Sequence, residues 1–108
     1  MAIICFDYDG TITESEAYMG PATFGKVRMK PKVIKLIKLA KRQGHKIIIH
    51  TSRLSSECME MTVKQLNDAG VPFDGIHFDK PFYDYVIDDR MVSISELEEW
   101  LKYEQEKK

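Results

Sequence analysis

The sequence contains little cysteine, with two residues, Cys5 and Cys58, in a chain of 108. They lack the paired spacing of a zinc site, and two thiols are too few for the disulfide framework of a small secreted protein. This composition excludes a disulfide-stapled extracellular module. Reduced thiols fit the cytoplasm, so we predict a cytoplasmic location.

Long apolar runs and an excess of charge are also absent. The longest runs, Ile3–Phe6 and Ile47–Ile49, are far shorter than the roughly 20 residues that span a bilayer. No positively charged segment precedes a signal-like apolar core, so the sequence predicts neither export nor a membrane partner. A net charge of -1 and a pI near 6.3 give no overall attraction to nucleic acid. Any anion-binding site must therefore be local.

Internal repeats, low-complexity tracts and linkers are missing as well. The chain, 44% hydrophobic, is predicted to form one domain over residues 1–108 that buries roughly two thirds of its unfolded surface. Residues 12–30 show no sustained period, which predicts a loop or flap. Within it, Gly20–Lys26 has the spacing of a phosphate-cradling loop. Val27 replaces the required Ser or Thr and no strand precedes the motif, so we reject that interpretation.

An acidic pair follows the first apolar run. Ile3–Phe6 predicts a short strand buried on both faces, and it leads directly into the sequence Asp-Tyr-Asp-Gly-Thr at positions 7–11. Side chains alternate along extended backbone, so Asp7 and Asp9 lie on the same side. Two carboxylates this close repel unless a cation or a division of roles separates them. The pair predicts a nucleophile beside a proton shuttle near a divalent cation, with solvated turn acids as the alternative.

Three further strand-like runs end in residues able to bind an anion or a cation. These are Thr51 and Ser52 after Lys46–His50, Lys80 after Gly75–Phe78, and Asp88 and Asp89 after Tyr85–Ile87. Helices are predicted over Pro31–Gln43 and Ser55–Ala69, and a last helix from a capping box at Ser95–Glu98. Right-handed crossovers bring the carboxyl ends of parallel strands to one edge of a sheet. The polar strand ends are therefore predicted to meet there.

Hydrophobic spacing predicts which side of each helix is buried. The predicted core residues are Val33, Leu36, Ile37 and Ala40 in the first helix, Met59, Val63 and Leu66 in the second, and Leu97, Trp100 and Leu101 in the third. The three histidines lack the helical spacing of a zinc pair and are predicted to be structural.

Together these motifs resemble those of the haloacid dehalogenase-like phosphohydrolases. The acidic sequence at 7–11 matches the family's first motif, and Thr51, Lys80 and the Asp88–Asp89 pair match the second, third and fourth in the family's order. The resemblance covers residues 3–90 and implies a three-layer α/β/α sandwich with a Rossmann-like, mainly parallel sheet. Neither the interval before the first helix nor that after Lys80 can hold a cap domain, so the likeness is to the capless group.

The resemblance also implies a role for each matching residue. Asp7 would be the nucleophile, and Asp9 the general acid and base. The acids implied to hold Mg²⁺ are Asp7, Asp9, Asp88 and Asp89, and the residues predicted to bind phosphoryl oxygens are Thr51, Ser52 and Lys80. Hard oxygen ligands of this kind suit Mg²⁺.

We therefore predict a magnesium-dependent phosphatase that hydrolyses a phosphate monoester of a sugar or similar small metabolite through an aspartyl-phosphate. A non-hydrolytic phosphate-binding or regulatory module on the same fold, and a receiver-like phosphoacceptor domain, are the alternatives. Arg53 and Phe24 are the candidate substrate contacts. A capless site is open, so a homo-oligomer that covers it is a further prediction, whereas a nucleic-acid partner is not expected.

Overall fold

The computed structural model describes residues 1–14, 27–52, 56–81 and 83–106. Its elements, in chain order, are β1 (Ile3–Asp7), α1 (Pro31–Arg42), β2 (Lys46–His50), α2 (Ser56–Asp68), β3 (Gly75–His77) and α3 (Ile94–Glu106). One irregular helical turn, Tyr8–Ile12, follows β1. The predicted α/β class is confirmed. None of the described helices is long and apolar enough to cross a membrane.

The strands form one parallel sheet in the order β1-β2-β3. One face carries Phe6, Ile47 and Ile49, which belong to a single buried cluster with side chains from all three helices. The opposite face carries Ile3, which is 66% exposed, and Cys5, which is also exposed. The prediction that β1 is buried on both faces is therefore wrong. The described residues form two layers, and the third layer of the predicted sandwich is not found among them.

The helices bury most of the predicted residues. All four predicted positions in α1 are buried, as are Leu97 and Leu101 in α3. Trp100 is 38% exposed and lies against His45, with ring centroids 4.9 Å apart.

Helix α2 differs from the prediction. Leu66 is buried, but Cys58 and Thr62 occupy the other core positions in place of Met59 and Val63. Burial of Thr62 costs little because its hydroxyl donates to the Cys58 carbonyl at 2.7 Å, which satisfies the polar group within the helix. Leu66 belongs both to the predicted set with Met59 and Val63 and to the observed set with Cys58 and Thr62. Tertiary packing therefore decides which of the two sets is buried.

The predicted fourth strand is not formed in the described structure. Residues 85–90 pair with no strand, and Tyr85 and Ile87 are 90% and 100% exposed. The run ends in a turn in which the Arg90 backbone N–H donates to Asp88 Oδ1 at 2.8 Å. A β-branched run needs a neighbouring edge to satisfy its backbone, and the sequence does not say which edge is within reach.

The capping box of α3 lies two residues before its predicted position. The Ser93 N–H donates to Glu96 Oε1 and the Glu96 N–H donates to Ser93 Oγ, both at 3.1 Å. Serines at 93 and 95 each precede a glutamate by three residues, so the pattern allows both boxes. The structure forms the first of the two, and the Leu97 N–H donates to the Ser93 carbonyl at 3.0 Å in the first turn.

Asp74 connects α1, β2 and the segment before β3. Its Oδ1 accepts a hydrogen bond from Lys41 Nζ at 2.6 Å, and its Oδ2 accepts one from the Ile47 N–H at 2.7 Å. The Lys41 bond, followed by the Ile47 bond, lowers the pKa of Asp74 below its ordinary value. A carboxyl whose folded-state pKa is lowered stabilises the fold above its unfolded-state pKa. That contribution is lost as the pH falls through the lowered folded-state value.

Replacing Asp74→Asn should lower the melting temperature at pH 7 by several degrees, because the charged acceptor that joins Lys41 to the Ile47 N–H of β2 is lost. The difference from wild type should shrink as the pH falls through the lowered folded-state pKa of Asp74, because the wild-type carboxyl then also takes up a proton. Thermal unfolding followed by circular dichroism checks both expectations.

Asp68→Asn is the matched control for this prediction. It removes the same charge from an exposed pair of the same kind, Lys64 Nζ to Asp68 Oδ2 at 2.7 Å within α2. Exposed pairs contribute little, so its melting temperature should stay near that of wild type. Equal shifts in the two variants would mean that the link from Asp74 to β2 adds nothing.

Candidate active site

The end of β1 places the two acids of the first motif. Phe6 and Tyr8 are 3% and 0% exposed, and the Tyr8 hydroxyl donates to Gln65 Oε1 of α2 at 2.7 Å. Because side chains alternate along a strand, burying Phe6 directs Asp7 to the opposite face of the sheet. Asp9 follows the buried Tyr8 in the irregular turn beyond the strand. Asp9 keeps extended backbone angles, φ −70° and ψ 124°, and both acids are partly exposed.

The chain then turns at Gly10, whose φ of 88° is one that residues with a side chain rarely adopt. The Gly10 carbonyl accepts a hydrogen bond from Lys30 Nζ at 3.0 Å. The loop that starts here returns beside its own beginning, because the Lys30 N–H donates to the Ile12 carbonyl at 2.7 Å. The base of the predicted flap therefore lies next to the acids. Sequence reasoning missed Lys30, whose only signal is its position immediately before the helix.

An ion pair joins the first and third motifs. Lys80 Nζ lies 2.7 Å from Asp7 Oδ1, and the Thr11 hydroxyl donates to Asp7 Oδ2 at 3.4 Å. The Lys80 side chain is 17% exposed and that of Asp7 34%. Burial by itself would lower the pKa of Lys80, but the hydrogen bonds and charges of Asp7 and Tyr83 outweigh it and raise that pKa. Lys80 is therefore a cation at neutral pH.

Thr51 and Ser52 lie beside this pair. The Lys80 N–H donates to the Thr51 carbonyl at 3.2 Å, and Thr51 itself is buried. Ser52, Lys80, Pro81 and Tyr83 line a small open cavity of about 170 Å³. Drug-sized ligands usually occupy roughly 300 Å³ or more. The cavity therefore suits one small group, such as a phosphoryl group, with the rest of a ligand outside.

Two histidines extend the same edge. Asp7, His50 and His77 are successive partners across the sheet, so their side chains lie on one face. His50 Nε2 is 4.0 Å from Asp79 Oδ1, and the rings of His50 and His77 are 6.4 Å apart. The prediction of purely structural histidines did not anticipate this position. The signal was their place at the last position of each strand, level with Asp7.

The acids of the fourth motif are not assembled with the others. Asp88 and Asp89 are exposed, and the described residues contain no group of three His, Cys, Asp or Glu side chains suited to a metal. The carboxylate of Asp7 is instead engaged by Lys80. The predicted Mg²⁺ site at Asp7, Asp9, Asp88 and Asp89 is thus not assembled among the described residues. Arg53 and Phe24, the predicted substrate contacts, lie outside the described residues.

Comparisons with known proteins identify similar structures. No family model matches the chain, and no curated protein matches it. A structural-genomics target from Vibrio cholerae has a similar structure, with a TM-score of 0.79, 25% sequence identity and full coverage of both chains. A chain of the Pnkp1/Rnl/Hen1 RNA repair complex matches 69% of this chain with a TM-score of 0.57 and 27% identity. That match spans 24% of the RNA repair protein's chain.

Proposed function

We propose that this protein is a phosphatase that hydrolyses phosphate monoesters through an aspartyl-phosphate on Asp7. The observation that carries the proposal is the 2.7 Å contact between Lys80 Nζ and Asp7 Oδ1 at the carboxyl edge of a parallel sheet. A carboxylate nucleophile needs a fixed cation beside it to accept a dianionic substrate. The order of the four motifs supports the same reaction, as does their resemblance to the capless haloacid dehalogenase-like phosphatases.

Electrostatic repulsion is the main obstacle to this reaction. A carboxylate about 4 Å from a phosphate dianion meets roughly 8 kcal/mol of repulsion at an effective dielectric near 20. Lys80 reduces this repulsion because it is protonated and lies within hydrogen-bond distance of the nucleophile. Phosphoryl transfer spreads charge over three oxygens, so fixed donors such as Lys80 and the residues at 51–52 stabilise the transition state.

The proposed reaction has two steps. Asp7 attacks phosphorus, a bond forms between its carboxylate oxygen and phosphorus, and the ester P–O bond breaks. Asp9 gives its proton to the departing alkoxide and then removes one from the water that attacks the phosphoaspartate. The second step releases inorganic phosphate and restores Asp7. The burial of Tyr8 between the two acids supports this proposal, because it fixes the segment that carries both of them.

Mg²⁺ remains part of the proposed function, although the described residues bring together only part of the predicted site. Asp7 and Asp9 lie at the edge of the sheet, whereas Asp88 and Asp89 are exposed elsewhere in the chain. The fold proposed for the whole molecule is the capless, three-layer form that the resemblance implies. A cytoplasmic location belongs to the same proposal.

The proposed substrate is a sugar phosphate or similar small metabolite. A cavity of about 170 Å³ holds little more than the phosphoryl group, so the rest of the substrate makes few enclosed contacts. One observation favours a second candidate, a phosphate ester at the end of a polynucleotide. It is the likeness, at 27% identity over 69% of the chain, to a protein of an RNA repair complex.

A substrate panel tests the proposal. With Mg²⁺ present, the purified protein should release phosphate from an aryl phosphate and from at least one member of a panel of sugar phosphates, nucleotides and phosphorylated oligonucleotide ends. Selective turnover of oligonucleotide ends would favour the second candidate. No turnover with a stable phosphoaspartate after treatment with acetyl phosphate would instead indicate a receiver-like domain.

A further inference from the structure

Helix α1 carries a concentration of positive charge. Five of its twelve residues are lysine or arginine and none is acidic. The five are Lys32, Lys35, Lys38, Lys41 and Arg42, and all are exposed. Because the whole chain has a net charge of -1 and α1 contributes +5, the rest of the chain carries -6. The nearly neutral overall charge therefore coexists with one strongly basic surface.

The cations of α1 line two adjoining grooves. The first has a volume of about 450 Å³ and is lined by four of the cations, by two leucines and by Glu98 of α3. The second has a volume of about 360 Å³ and is lined by Lys38, Lys41, Arg42 and Pro72. Because Lys38 and Arg42 line both, the two grooves form one continuous surface. We call this surface, with the five cations of α1, the basic groove.

The charge of the basic groove is only partly neutralised. Lys41 Nζ lies 2.6 Å from Asp74 Oδ1, and Lys32 Nζ lies 3.7 Å from Glu98 Oε2. Glu98 is shared with Lys102 of α3 at 3.9 Å, so it compensates Lys32 incompletely. The other three cations have no acidic partner within ion-pair distance among the described residues. Their charge is therefore available to an anionic ligand.

The stability of α1 does not explain this arrangement. Lys32 lies in the first turn, where the helix dipole disfavours a cation, and that turn contains no acidic residue. Lysines repeated every three residues also repel each other along the helix surface. Lys41 and Arg42, in the last turn, do suit the dipole. The remaining cations oppose helix formation, which is expected where charges are present to bind a partner.

A single-stranded polynucleotide has the chemistry that this surface fits. Its phosphates repeat along a chain, and the cations from Lys32 to Arg42 extend over about 15 Å at the usual helical rise. Leu36 and Leu39 also line the first groove. They offer apolar contact to sugars and bases, which a single strand leaves accessible. The combination of spaced cations and an apolar lining matches a phosphate backbone that carries exposed bases.

The fold disfavours two other polyanions. A helix that binds duplex DNA enters the major groove, whereas the buried cluster holds α1 against the sheet and α3 and leaves one side exposed. A helix that binds a membrane inserts its apolar side, and that side of α1, with Val33, Leu36, Ile37 and Ala40, is buried in the core. A single strand needs neither insertion.

We infer that the basic groove binds the phosphate backbone of a single-stranded polynucleotide. Helix α1 begins one residue after Lys30, whose Nζ donates to the Gly10 carbonyl at 3.0 Å. The basic groove therefore starts near the carboxyl edge of the sheet and leads away from it. A strand bound there with its end at Asp7 would be the second candidate substrate, and that part rests on the proposed function. The binding surface itself does not.

Fluorescence anisotropy with a labelled oligothymidylate that has no terminal phosphate tests binding apart from activity. The double variant Lys35→Gln with Arg42→Gln should bind about ten-fold more weakly at low salt. The slope of log affinity against log salt should fall by about 1.4, because each phosphate contact of a single strand contributes about 0.7. Both side chains are exposed, so the melting temperature should stay near that of wild type.

Lys46→Gln with Lys64→Gln is the matched control. It removes the same two charges, but Lys46 lies beside Ile3 on the face of the sheet opposite the helices, and Lys64 is paired with Asp68 on α2. Its affinity and salt slope should change much less. Equal losses in the two double variants would mean that overall charge drives binding, and would overturn the inference. Unchanged binding after Lys35→Gln with Arg42→Gln would do the same, as would no binding by wild type at low salt.

Two further probes distinguish a polynucleotide from other anionic partners. Polyglutamate and phosphatidylserine vesicles carry negative charge but no bases. Tighter binding of either probe than of oligothymidylate would assign the basic groove to an acidic protein or to a membrane, and would contradict the inference. Hydrolysis of an aryl phosphate by the Lys35→Gln, Arg42→Gln variant should equal that of wild type. If wild type binds oligothymidylate through the basic groove but releases no phosphate, the proposed function fails and the binding surface stands.

Discussion

Asp7→Asn is expected to reduce the proposed phosphatase activity by at least about a thousand-fold, because an amide oxygen does not form the covalent bond to phosphorus on which the proposed reaction depends. The variant should still fold. Asn has the shape of Asp, and its side-chain oxygen can keep the 2.7 Å contact with Lys80. Steady-state hydrolysis of an aryl phosphate measures the loss, and thermal unfolding checks the fold.

Asp79→Asn is the control for the Asp7 variant. It removes the same charge from the same edge of the sheet, but its side chain is 87% exposed and its contact is with His50 at 4.0 Å. Its activity should stay close to that of wild type. Normal turnover by Asp7→Asn would reject Asp7 as the nucleophile, and a comparable loss in both variants would indicate that net charge at the edge controls the rate.

Lys80→Met is expected to lower kcat/KM by about a hundred-fold to a thousand-fold, the usual effect of removing one fixed donor from the charge that develops in a transition state. Methionine keeps much of the length and apolar body of lysine but removes the ammonium group that lies 2.7 Å from Asp7. Inhibition by inorganic phosphate should weaken as well, because the proposal has the same cation bind phosphoryl oxygens in both the phosphate complex and the transition state.

Lys80→Arg tests whether a positive charge at this position is sufficient for activity or whether the exact placement of the charge also matters. Arginine keeps the cation but presents a planar group in place of a point charge, so it should recover binding of inorganic phosphate more fully than turnover. Melting temperatures should change little in either variant, because the partner carboxylate of Asp7 is 34% exposed and remains hydrated. Unchanged kcat/KM in Lys80→Met would remove Lys80 from the active site.

Local sequence patterns were sufficient for the parts of the fold that depend on short spacing. The stripe Val33, Leu36, Ile37 and Ala40 is buried as predicted, because a helix that must cover a sheet presents its apolar side whatever its neighbours are. The alternation of Phe6 and Asp7 was enough to place Asp7 on the outer face of the sheet, whereas Asp9 lies beyond the strand in the irregular turn Tyr8–Ile12. The contact of Lys80 with Asp7 across 73 positions also agrees with the predicted meeting of strand ends.

Predictions that depend on contacts between distant parts of the chain were less accurate. The run Tyr85–Ile87 has the composition of a strand. A strand forms only where the free edge of a sheet lies within reach, and composition does not show whether such an edge is available. The choice of Cys58 and Thr62 over Met59 and Val63 on α2 has the same cause, because two apolar stripes overlap and contact with the sheet decides between them. Lys30 and His50 were missed because a lone cation or histidine belongs to no periodic pattern, and only its position beside a helix or at a strand end relates it to the site.

The sequence by itself determined which polar residues follow each strand-like run. Two acids follow the first run, hydroxyl residues the second, a lysine the third and an acidic pair the fourth. Those residues follow apolar runs, and burial of the runs leaves the polar ends at the surface. Only the tertiary structure decided which of them meet. It brings Asp7, Lys80 and Thr51 together and leaves Asp88 and Asp89 apart. Contact between distant residues depends on how strands pair and how far the chain between them reaches, and neither is a property of a local pattern.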